Sequence, residues 1–295
     1  MMYHRRIGSA DIFNIVEYVG PTHDPARVFP DLEGDWTSAA SQWPYQYVPA
    51  LNRFVIAIQI WVVRWRGNVI VIDTGCGNFK SRPAAPRMDN LNNRVMEWLE
   101  AAGAGRDQVT HVINTHLHGD HVGWNTIVED GANVPTFRKA RYFMPQADYD
   151  HFRAIYDGGD TSVGAGAFGD SVLPVVDAGR VTMVGGDGEI AGLTMIPAPG
   201  HTPGMYRLTL SSDGETGIFC ADIFHSPIQI HQPTLNTMFC MRPEDARETR
   251  QRFLEAVAGS GALVMPCHFA FPHAARIGRS DGRFTFHPVP VQPAA

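Results

Sequence analysis

The chain has 295 residues, of which 44% are hydrophobic and 18% are charged, and its formal net charge is −6. This is the composition of a globular protein long enough to bury a large core, so a disordered chain is excluded. The lack of a basic block also argues against a nucleic-acid partner, whose phosphates require clustered lysine and arginine side chains.

The first 50 residues combine one strand pattern with a long irregular segment. Residues 1–8 lack the apolar region of a signal peptide, and no run approaches the roughly 18 apolar residues of a membrane span, so we expect a soluble, cytoplasmic protein without a membrane partner. Residues 11–19 alternate as a strand does. Residues 21–50 are rich in proline and aromatic side chains, among them Trp36, and are too long for a simple connector. They form either a loop packed over the core, or a lid, a pocket wall or a subunit contact.

A hairpin and a helix are predicted next. Residues 54–65 and 68–72 have strand patterns, and the Arg-Gly pair between them is typical of a hairpin turn. Asp73 follows the second strand, a position at which an aspartate often begins a turn. Residues 92–102 have apolar side chains at helical spacing, and Gly103 predicts the end of that helix.

A dense group of potential metal ligands follows the apolar strand predicted over residues 109–115. Its members are His116, His118, Asp120 and His121. Residues two apart in extended chain point to the same side, so His116 and His118 can bind one ion together. Gly119 allows a turn, after which the other two side chains can face a second ion. Imidazole and carboxylate ligands suit zinc, iron, manganese or nickel, and no paired-cysteine motif indicates a closed structural zinc site.

The second half of the chain alternates strand and helix patterns, with no repeat and no internal domain boundary. Strands are predicted over residues 141–144, 181–184, 193–196, 206–210, 216–219 and 262–265, and helices over residues 146–156 and 243–258. The glycine-rich residues 157–169 lack the strand and the Lys-Ser/Thr pair that flank a phosphate-binding loop, so a mobile surface loop is expected.

The four cysteines have no disulfide or zinc spacing, and they are Cys76, Cys220, Cys240 and Cys267. Two of them, Cys220 and Cys267, lie in strand-like segments beside potential metal ligands. We expect them to be small, buried packing residues.

Residues 116–121 resemble the His-x-His-x-Asp-His signature of the metallo-β-lactamase fold hydrolases. Three later segments resemble the remaining motifs of that family in the same order: residues 200–204 with His201, residues 220–222 with Asp222, and residues 265–268 with His268. The resemblance extends from about residue 54 to residue 268. It implies a single α/β hydrolase domain over residues 1–295, folded as a four-layer αββα sandwich with its site along one edge of two sheets.

The resemblance also implies a set of ligands for two divalent metal ions. One ion takes His116, His118 and His201, the other takes Asp120, His121 and His268, and Asp222 bridges them. Zinc is favoured, and iron, manganese, cobalt and nickel are alternatives. The family hydrolyses its substrates with a hydroxide held between the ions, and Asp120 can pass a proton to the leaving oxygen. Asp73 is implied to accept the free ring N–H of a metal-binding histidine.

The branch of the family is indicated by residues around the bridging aspartate. Asp222 argues against a true β-lactamase, and His118 stands where redox relatives carry a glutamate. The remaining resemblance is to lactonases and to methyl parathion hydrolase-like enzymes. His225 stands where acyl-homoserine lactonases carry a tyrosine, and it either contacts the substrate oxygen or is satisfied within the fold.

Three aromatic side chains are expected to line the substrate pocket, namely Trp36, Trp124 and Phe224. Trp124 stands where lactonases usually have a small residue, so it either narrows the pocket or belongs to the core. The function expected from the resemblance is hydrolysis of a lactone or ester of a small, partly apolar molecule. Phosphotriester hydrolysis and a non-catalytic metal-binding role are the alternatives, and a homodimer stays open.

Overall fold

The structure is a computed structural model that describes residues 1–32, 44–290 and 292–293, so Trp36 lies outside the described residues. The strands are β1 (Met2–Ile7), β2 (Ala10–Pro21), β3 (Tyr47–Val48), β4 (Arg53–Trp65), β5 (Asn68–Ile72), β6 (His111–Ile113), β7 (Thr126–Glu129), β8 (Ala132–Pro135), β9 (Arg141–Pro145), β10 (Val181–Val184), β11 (Gly188–Ile190), β12 (Leu193–Pro197), β13 (Tyr206–Ser212), β14 (Glu215–Ala221), β15 (Leu263–Pro266), β16 (Ala275–Ser280), β17 (Arg283–Pro288) and β18 (Gln292–Pro293).

The helices are mostly short. They are α1 (Pro25–Val28), α2 (Val95–Ala101), α3 (Gly119–Val122), α4 (Gln146–Asp157), α5 (Leu173–Asp177), α6 (Ile228–His231) and α7 (Pro243–Val257), together with 3₁₀ segments at Pro44–Gln46, Pro49–Leu51, Gly123–Asn125 and Val163–Gly166 and one π turn at Phe168–Val172. Among the described residues, no helix has both the length and the apolar character needed to cross a bilayer.

Two large sheets carry the fold. The first has the strand order β10-β9-β6-β5-β4-β2-β1-β18, with β3 paired to β4 beside this path, and the second runs β11-β12-β13-β14-β15-β16-β17. Strands β5, β6, β9 and β10 pair in parallel, as do β14 and β15. Strands β7 and β8 form a separate hairpin.

The core between the sheets follows from the alternation of side chains along β4. Trp61 and Val63 pack with side chains of the second sheet, including Leu208 and Met265. Val62 points the other way and packs with the helices outside the first sheet. Because both faces of β4 are covered, nearly the whole strand is buried, which explains its continuous apolar sequence.

Helices cover the outer face of each sheet. Leu99 of α2 and Phe152 of α4 pack against the first sheet. Phe253 and Leu254 of α7 pack against the second sheet. The order helix, sheet, sheet, helix confirms the predicted four-layer αββα sandwich. The extent of a single domain over residues 1–295 stays a prediction.

The strands and helices predicted from apolar periodicity are present, with shifted ends in places. The predicted helix at residues 92–102 begins only at Val95. Asn93 is bound in contacts that a helix would break, because its backbone N–H donates to Asn78 Oδ1 at 3.0 Å and its side-chain amide donates to Glu17 Oε1 at 3.0 Å. The elements that were not predicted are the strands β1, β3, β7, β8, β11, β16, β17 and β18 and the short helices α1, α3, α5 and α6.

Only the first part of the glycine-rich segment at residues 157–169 is the surface loop that the sequence predicted, because residues 157–162 are exposed whereas residues 163–169 pack inward. Phe168 is fully buried in the core, and Gly164 and Ala165 adopt left-handed backbone conformations with φ of +62° and +58°. The carbonyl oxygen of Gly164 would lie 2.7 Å from a Cβ placed on Gly119. The segment therefore packs directly against the predicted metal-binding motif, and the buried phenylalanine holds it there.

Candidate metal centre

Strand ends from both sheets meet at one edge of the sandwich. The parallel strands β5 and β6 end there from the first sheet, and β14 and β15 end there from the second. Two backbone hydrogen bonds join the sheets at this edge: Tyr206 N–H donates to Thr115 O at 2.9 Å, and Ala57 N–H donates to His268 O at 3.1 Å. Side chains that follow these strands are thereby brought close together.

The first cluster consists of three histidines. His116 and His118 follow β6, and His201 lies on the loop between β12 and β13. One ring nitrogen from each lies within 4.8 Å of the others, and His118 Nδ1 is 2.8 Å from His201 Nε2. His116 and His201 are buried, whereas His118 is half-buried.

The second cluster consists of Asp120, His121 and His268, whose ligand atoms also lie within 4.8 Å of one another. Asp222 follows β14 and lies between the two clusters. Its Oδ2 is 3.2 Å from His201 Nε2 on one side, and 3.4 Å from His121 Nε2 and 2.8 Å from His268 Nε2 on the other. The structure thus brings together all seven side chains that the sequence singled out as metal ligands.

Hydrogen bonds orient the histidine rings toward a common centre. Nδ1 of His121 lies 2.9 Å from Asp73 Oδ2, and Nδ1 of His268 lies 2.8 Å from Ala57 O. Because a carboxylate and a carbonyl can only accept, each ring keeps a proton on Nδ1, and its Nε2 is the atom that would bind a metal in the neutral form. Asp73 therefore lies where the sequence placed it, on the outer nitrogen of a ligand histidine.

Several polar atoms at the centre have no hydrogen-bond partner among the described residues. They are buried and include His116 Nε2, His121 Nε2 and Asp222 Oδ1. Leaving a buried polar atom unpaired costs about 1–3 kcal/mol. A cation at the centre would satisfy these lone pairs, and the nitrogen and oxygen donors are those that zinc and similar divalent ions bind. The residues present therefore fit a divalent metal.

The charges at the centre are unequally distributed. Burial lowers the pKa of His116 and His201 well below the usual value, and it lowers the pKa of His118 to about 4. Burial also opposes the ionisation of Asp222, but the neighbouring His268 and the other histidines hold its pKa well below the usual range. Although burial opposes it, the carboxylate of Asp222 raises the pKa of His121 and His268. A divalent cation would supply that positive charge in place of the protons, because imidazole binds a metal in its neutral form.

His225 lies beside the seven side chains. Its ring stacks on His268 with a centroid distance of 5.1 Å and an interplanar angle of 16°, and its Nε2 is 3.4 Å from Asp222 Oδ2. The backbone N–H of His225 donates to Gln229 Oε1 at 2.7 Å, which holds this turn in place. Burial lowers the pKa of His225, so the ring is neutral at physiological pH.

A cavity of about 500 Å³ opens onto the centre. Its polar wall is formed by His118, Asp120, His201, Asp222, His225 and His268. Much of the remaining lining is apolar and includes Ile56, Ile58, Met88 and Phe239. Arg87 also lines the cavity and is held by a hydrogen bond from its Nη2 to Thr22 O at 2.7 Å. The cavity therefore suits a small molecule that is apolar at one end.

Two of the three aromatic residues that were expected to line the pocket do not line it. Trp124 is 3% exposed, packs in the core, and donates from Nε1 to Glu17 Oε1 at 2.8 Å. Phe224 is fully buried and stacks edge-on against Phe253. Neither side chain lines the cavity, because both face the helix-covered sides of the sheets.

Sequence reasoning missed most of the actual apolar wall. Met88 and Phe239 lie on irregular segments, where no periodicity marks the side that faces a cavity. Ala165 belongs to the segment that was expected to be a surface loop. The one available signal was the aromatic side chain of Phe239, which lines the cavity and contacts the rings of both His225 and His23.

All four cysteines are free, and Cys220 and Cys267 are buried, as the sequence predicted. Cys76 is buried as well. Cys240 is only partly buried. The thiol of Cys267 contacts Asp73 Oδ2 at 3.4 Å, and burial raises the pKa of that thiol. Cys267 is therefore a protonated neighbour of the aspartate that orients His121.

Residues 54–268 match the family model of the metallo-beta-lactamase superfamily. An N-acyl homoserine lactonase of Bacillus sp is 24% identical over 160 residues, and the match spans 49% of this chain and 54% of that relative, about half of its length. Among solved structures, the hydrolase AbOPH of the beta lactamase superfamily has a TM-score of 0.81 and 22% identity, covering 98% of this chain and 97% of that one. AidC, a dizinc quorum-quenching lactonase, has a TM-score of 0.76 and 19% identity over the same shares of the two chains.

Proposed function

The chain belongs to the metallo-β-lactamase superfamily, and we propose from this that it is a hydrolase with two divalent metal ions that opens a lactone or an ester. The observation that carries the proposal is the meeting of two clusters of ligand atoms, with Asp222 between them, at the wall of one cavity. Zinc is the proposed ion, and iron, manganese, cobalt or nickel would suit the same ligands.

The proposed division of the ligands follows the family resemblance, and the ligand atoms of each set lie within 4.8 Å of one another. One ion would be held by His116, His118 and His201, the other by Asp120, His121 and His268, and Asp222 would be shared. When bound, a pair of divalent ions supplies a nucleophile by lowering the pKa of water to about 7, and it polarises the oxygen of the substrate bond.

The protein's own side chains would bind and orient the substrate. Asp120 lines the cavity and its side chain is 25% exposed, so its carboxyl can carry a proton to the leaving oxygen. His225 also lines the cavity, and its neutral ring can donate one hydrogen bond to a substrate oxygen that gains negative charge. The buried surroundings strengthen both interactions, because water is largely excluded from the centre.

The proposed substrate is a small molecule with an apolar part. Ile56, Ile58, Met88 and Phe239 provide an apolar wall of the same cavity, so the scissile bond would face the ligands while the apolar part packs on this wall. The lactonases among the related proteins support a lactone or ester.

Phosphotriester hydrolysis is the second candidate, and His225 favours it, because the lactonase branch usually carries a tyrosine at this position. A non-catalytic metal-binding role is disfavoured, since none of the seven proposed ligands is missing and the cavity remains open to them. A cytoplasmic location and a homodimer are part of the proposal and are testable by fractionation and by mass in solution.

Metal analysis combined with an activity panel tests this function. The parent protein should bind two ions per chain, and chelation should abolish hydrolysis of lactones or aryl esters and lower the melting temperature, because ligands that bind the native state stabilise it. Asp222→Asn should lose one ion and most turnover, whereas Asp213→Asn, in an exposed hairpin turn, should behave like the parent. A parent that binds at most one ion tightly, or full activity in Asp222→Asn, contradicts the proposal.

A further inference from the structure

Asp148 is a buried carboxylate in the first turn of α4 that the metal chemistry does not use. It has no exposed surface. Its Oδ2 accepts the backbone N–H of Leu117 at 3.1 Å, and its Oδ1 accepts the backbone N–H of Gly204 at 2.6 Å. One side chain thus joins two loops that are far apart in the sequence.

Each of these loops carries ligands of the first cluster. Leu117 lies between His116 and His118, and Gly204 follows His201 by three residues. The two loops come from different sheets, one from the end of β6 and the other from the connection between β12 and β13. The three histidine rings keep their mutual distances only if the two loops keep theirs.

We propose that Asp148 is a positioning residue that fixes the spacing of His201 from His116 and His118, and so sets the affinity of the ion that this cluster holds. The inference rests on the proposed metal site and adds a determinant to it. Asp148 contacts the peptide groups beside the ligands rather than any ligand ring, so it acts through the backbone.

Asp73 provides the corresponding link for the second cluster. It accepts the backbone N–H of Thr115 at 2.7 Å, the ring of His121 at 2.9 Å and the thiol of Cys267 at 3.4 Å. Cys267 immediately precedes His268, so Asp73 also joins ligand loops from the two sheets. Two buried carboxylates, one for each cluster, therefore connect the halves of the fold around the centre.

The contact with the His201 loop requires close approach. A Cβ placed on Gly204 would lie 2.7 Å from Asp148 N and 2.9 Å from Asp148 Oδ1. Only glycine lets this loop come near enough for the carboxylate to bond both peptide groups. Gly204→Ala therefore separates the loops while leaving the carboxylate in place, which provides a second and independent way to test the link.

The test measures binding of Co²⁺ to the full chain rather than turnover. Asp148→Asn keeps the shape of the side chain, but its NH₂ group cannot accept an N–H, so one of the two bonds is lost. We expect Asp148→Asn and Gly204→Ala to bind one Co²⁺ as the parent does and the other at least tenfold more weakly. Asp150→Asn, on the exposed side of the same helix, is the matched control and should bind both ions like the parent.

A second background identifies which ion is weakened. His268→Ala should retain the ion of the three-histidine cluster, and adding Asp148→Asn to it should weaken that remaining ion by the same factor. If the double variant binds this ion as tightly as His268→Ala does, or if Asp148→Asn and Gly204→Ala bind both ions like the parent, the inference is wrong. The proposed function would still stand, because the parent binds metal. If the variants bind both ions equally weakly, and the metal-free variants melt as far below the metal-free parent as the metal-loaded variants melt below the metal-loaded parent, Asp148 has only a structural role and the inference is wrong. A parent that binds no Co²⁺ overturns the proposed function itself.

Discussion

Asp73 Oδ2 lies 2.9 Å from Nδ1 of His121, and both side chains are buried at the edge where the two sheets meet. The backbone N–H of Thr115 donates to the other oxygen of the same carboxylate at 2.7 Å. A carboxylate is needed here because both partners are donors. Asp73 thereby holds the proton of His121 on Nδ1 and leaves Nε2 free for a metal.

Asp73→Asn should weaken metal binding without unfolding the protein. Whichever way the amide is turned, its NH₂ group faces a donor, so either the His121 ring or the Thr115 loop loses its partner. We expect about a 10- to 100-fold loss in metal affinity, which competition with a chelator would measure. Asp281→Asn is the control, because Asp281 has a similar left-handed φ, +50° against +54°, but lies exposed in a distant turn. Equal metal affinity in Asp73→Asn and the parent would show that Asp73 does not orient the ligand.

His225 should assist the reaction without binding the metal. Phenylalanine keeps an aromatic ring beside His268 but cannot donate a hydrogen bond, so His225→Phe should lower kcat on lactones or esters about tenfold or more with metal content unchanged. His225→Tyr restores a donor and should recover lactone turnover better than phosphotriester turnover. Steady-state kinetics on both substrate classes measure this. If both variants match the parent on every substrate, His225 only fills space.

Lys80 should make the free energy of unfolding depend on pH. Its ammonium is buried beside Asp170 and Asn133, and burial lowers its pKa from 10.5 to about 8. Between these values the unfolded chain binds more protons than the native one, so this side chain contributes stability that increases as the pH rises from about 8 to about 10.5.

Lys80→Met isolates this contribution from other titrating groups. Urea unfolding of the parent and of Lys80→Met, each in the same metal-free state, would be compared at about pH 7.5 and about pH 10. The free energy of unfolding of the parent relative to the variant should increase by about 1–2 kcal/mol over that interval. A constant or falling difference would mean that Lys80 keeps its charge in the native state.

Gly123 should not tolerate a side chain. A Cβ there would lie 1.9 Å from both the carbonyl carbon and the carbonyl oxygen of Cys76, which are backbone atoms that cannot turn away. Gly123→Ala should destabilise the protein by about 3 kcal/mol or more, because the added methyl group forces the ligand segment at residues 116–121 away from the turn after β5. Gly185→Ala is the control, since nothing lies within 4 Å of its Cβ position. Thermal unfolding compares them, and equal melting temperatures would contradict the close packing.

The sequence alone indicated the potential ligands and most of the elements that carry them. Apolar patterns predicted β4, β5 and β14, because a strand that is covered on one or both faces needs apolar side chains on those faces. This requirement does not depend on the sequence of the rest of the chain. His116, His118, Asp120 and His121 could be named from their residue types and spacing after a strand, whereas the three later ligands followed only from the resemblance to a known family. The apolar patterns and the ligand spacing are local signals, so they can be read within a few residues.

The tertiary structure alone decided which side chains surround the ligands. The sequence indicates only that Asp148 lies in a helix, whereas the structure shows that its carboxylate joins loops from two sheets. The sequence left Trp124 open between the pocket and the core, and its hydrogen bond to Glu17 within the core decided the matter. Ala165 belongs to a segment expected at the surface, yet it lines the cavity. Such roles depend on contacts between residues far apart in the chain, and the side of an irregular segment that becomes buried is set by those contacts rather than by any local period.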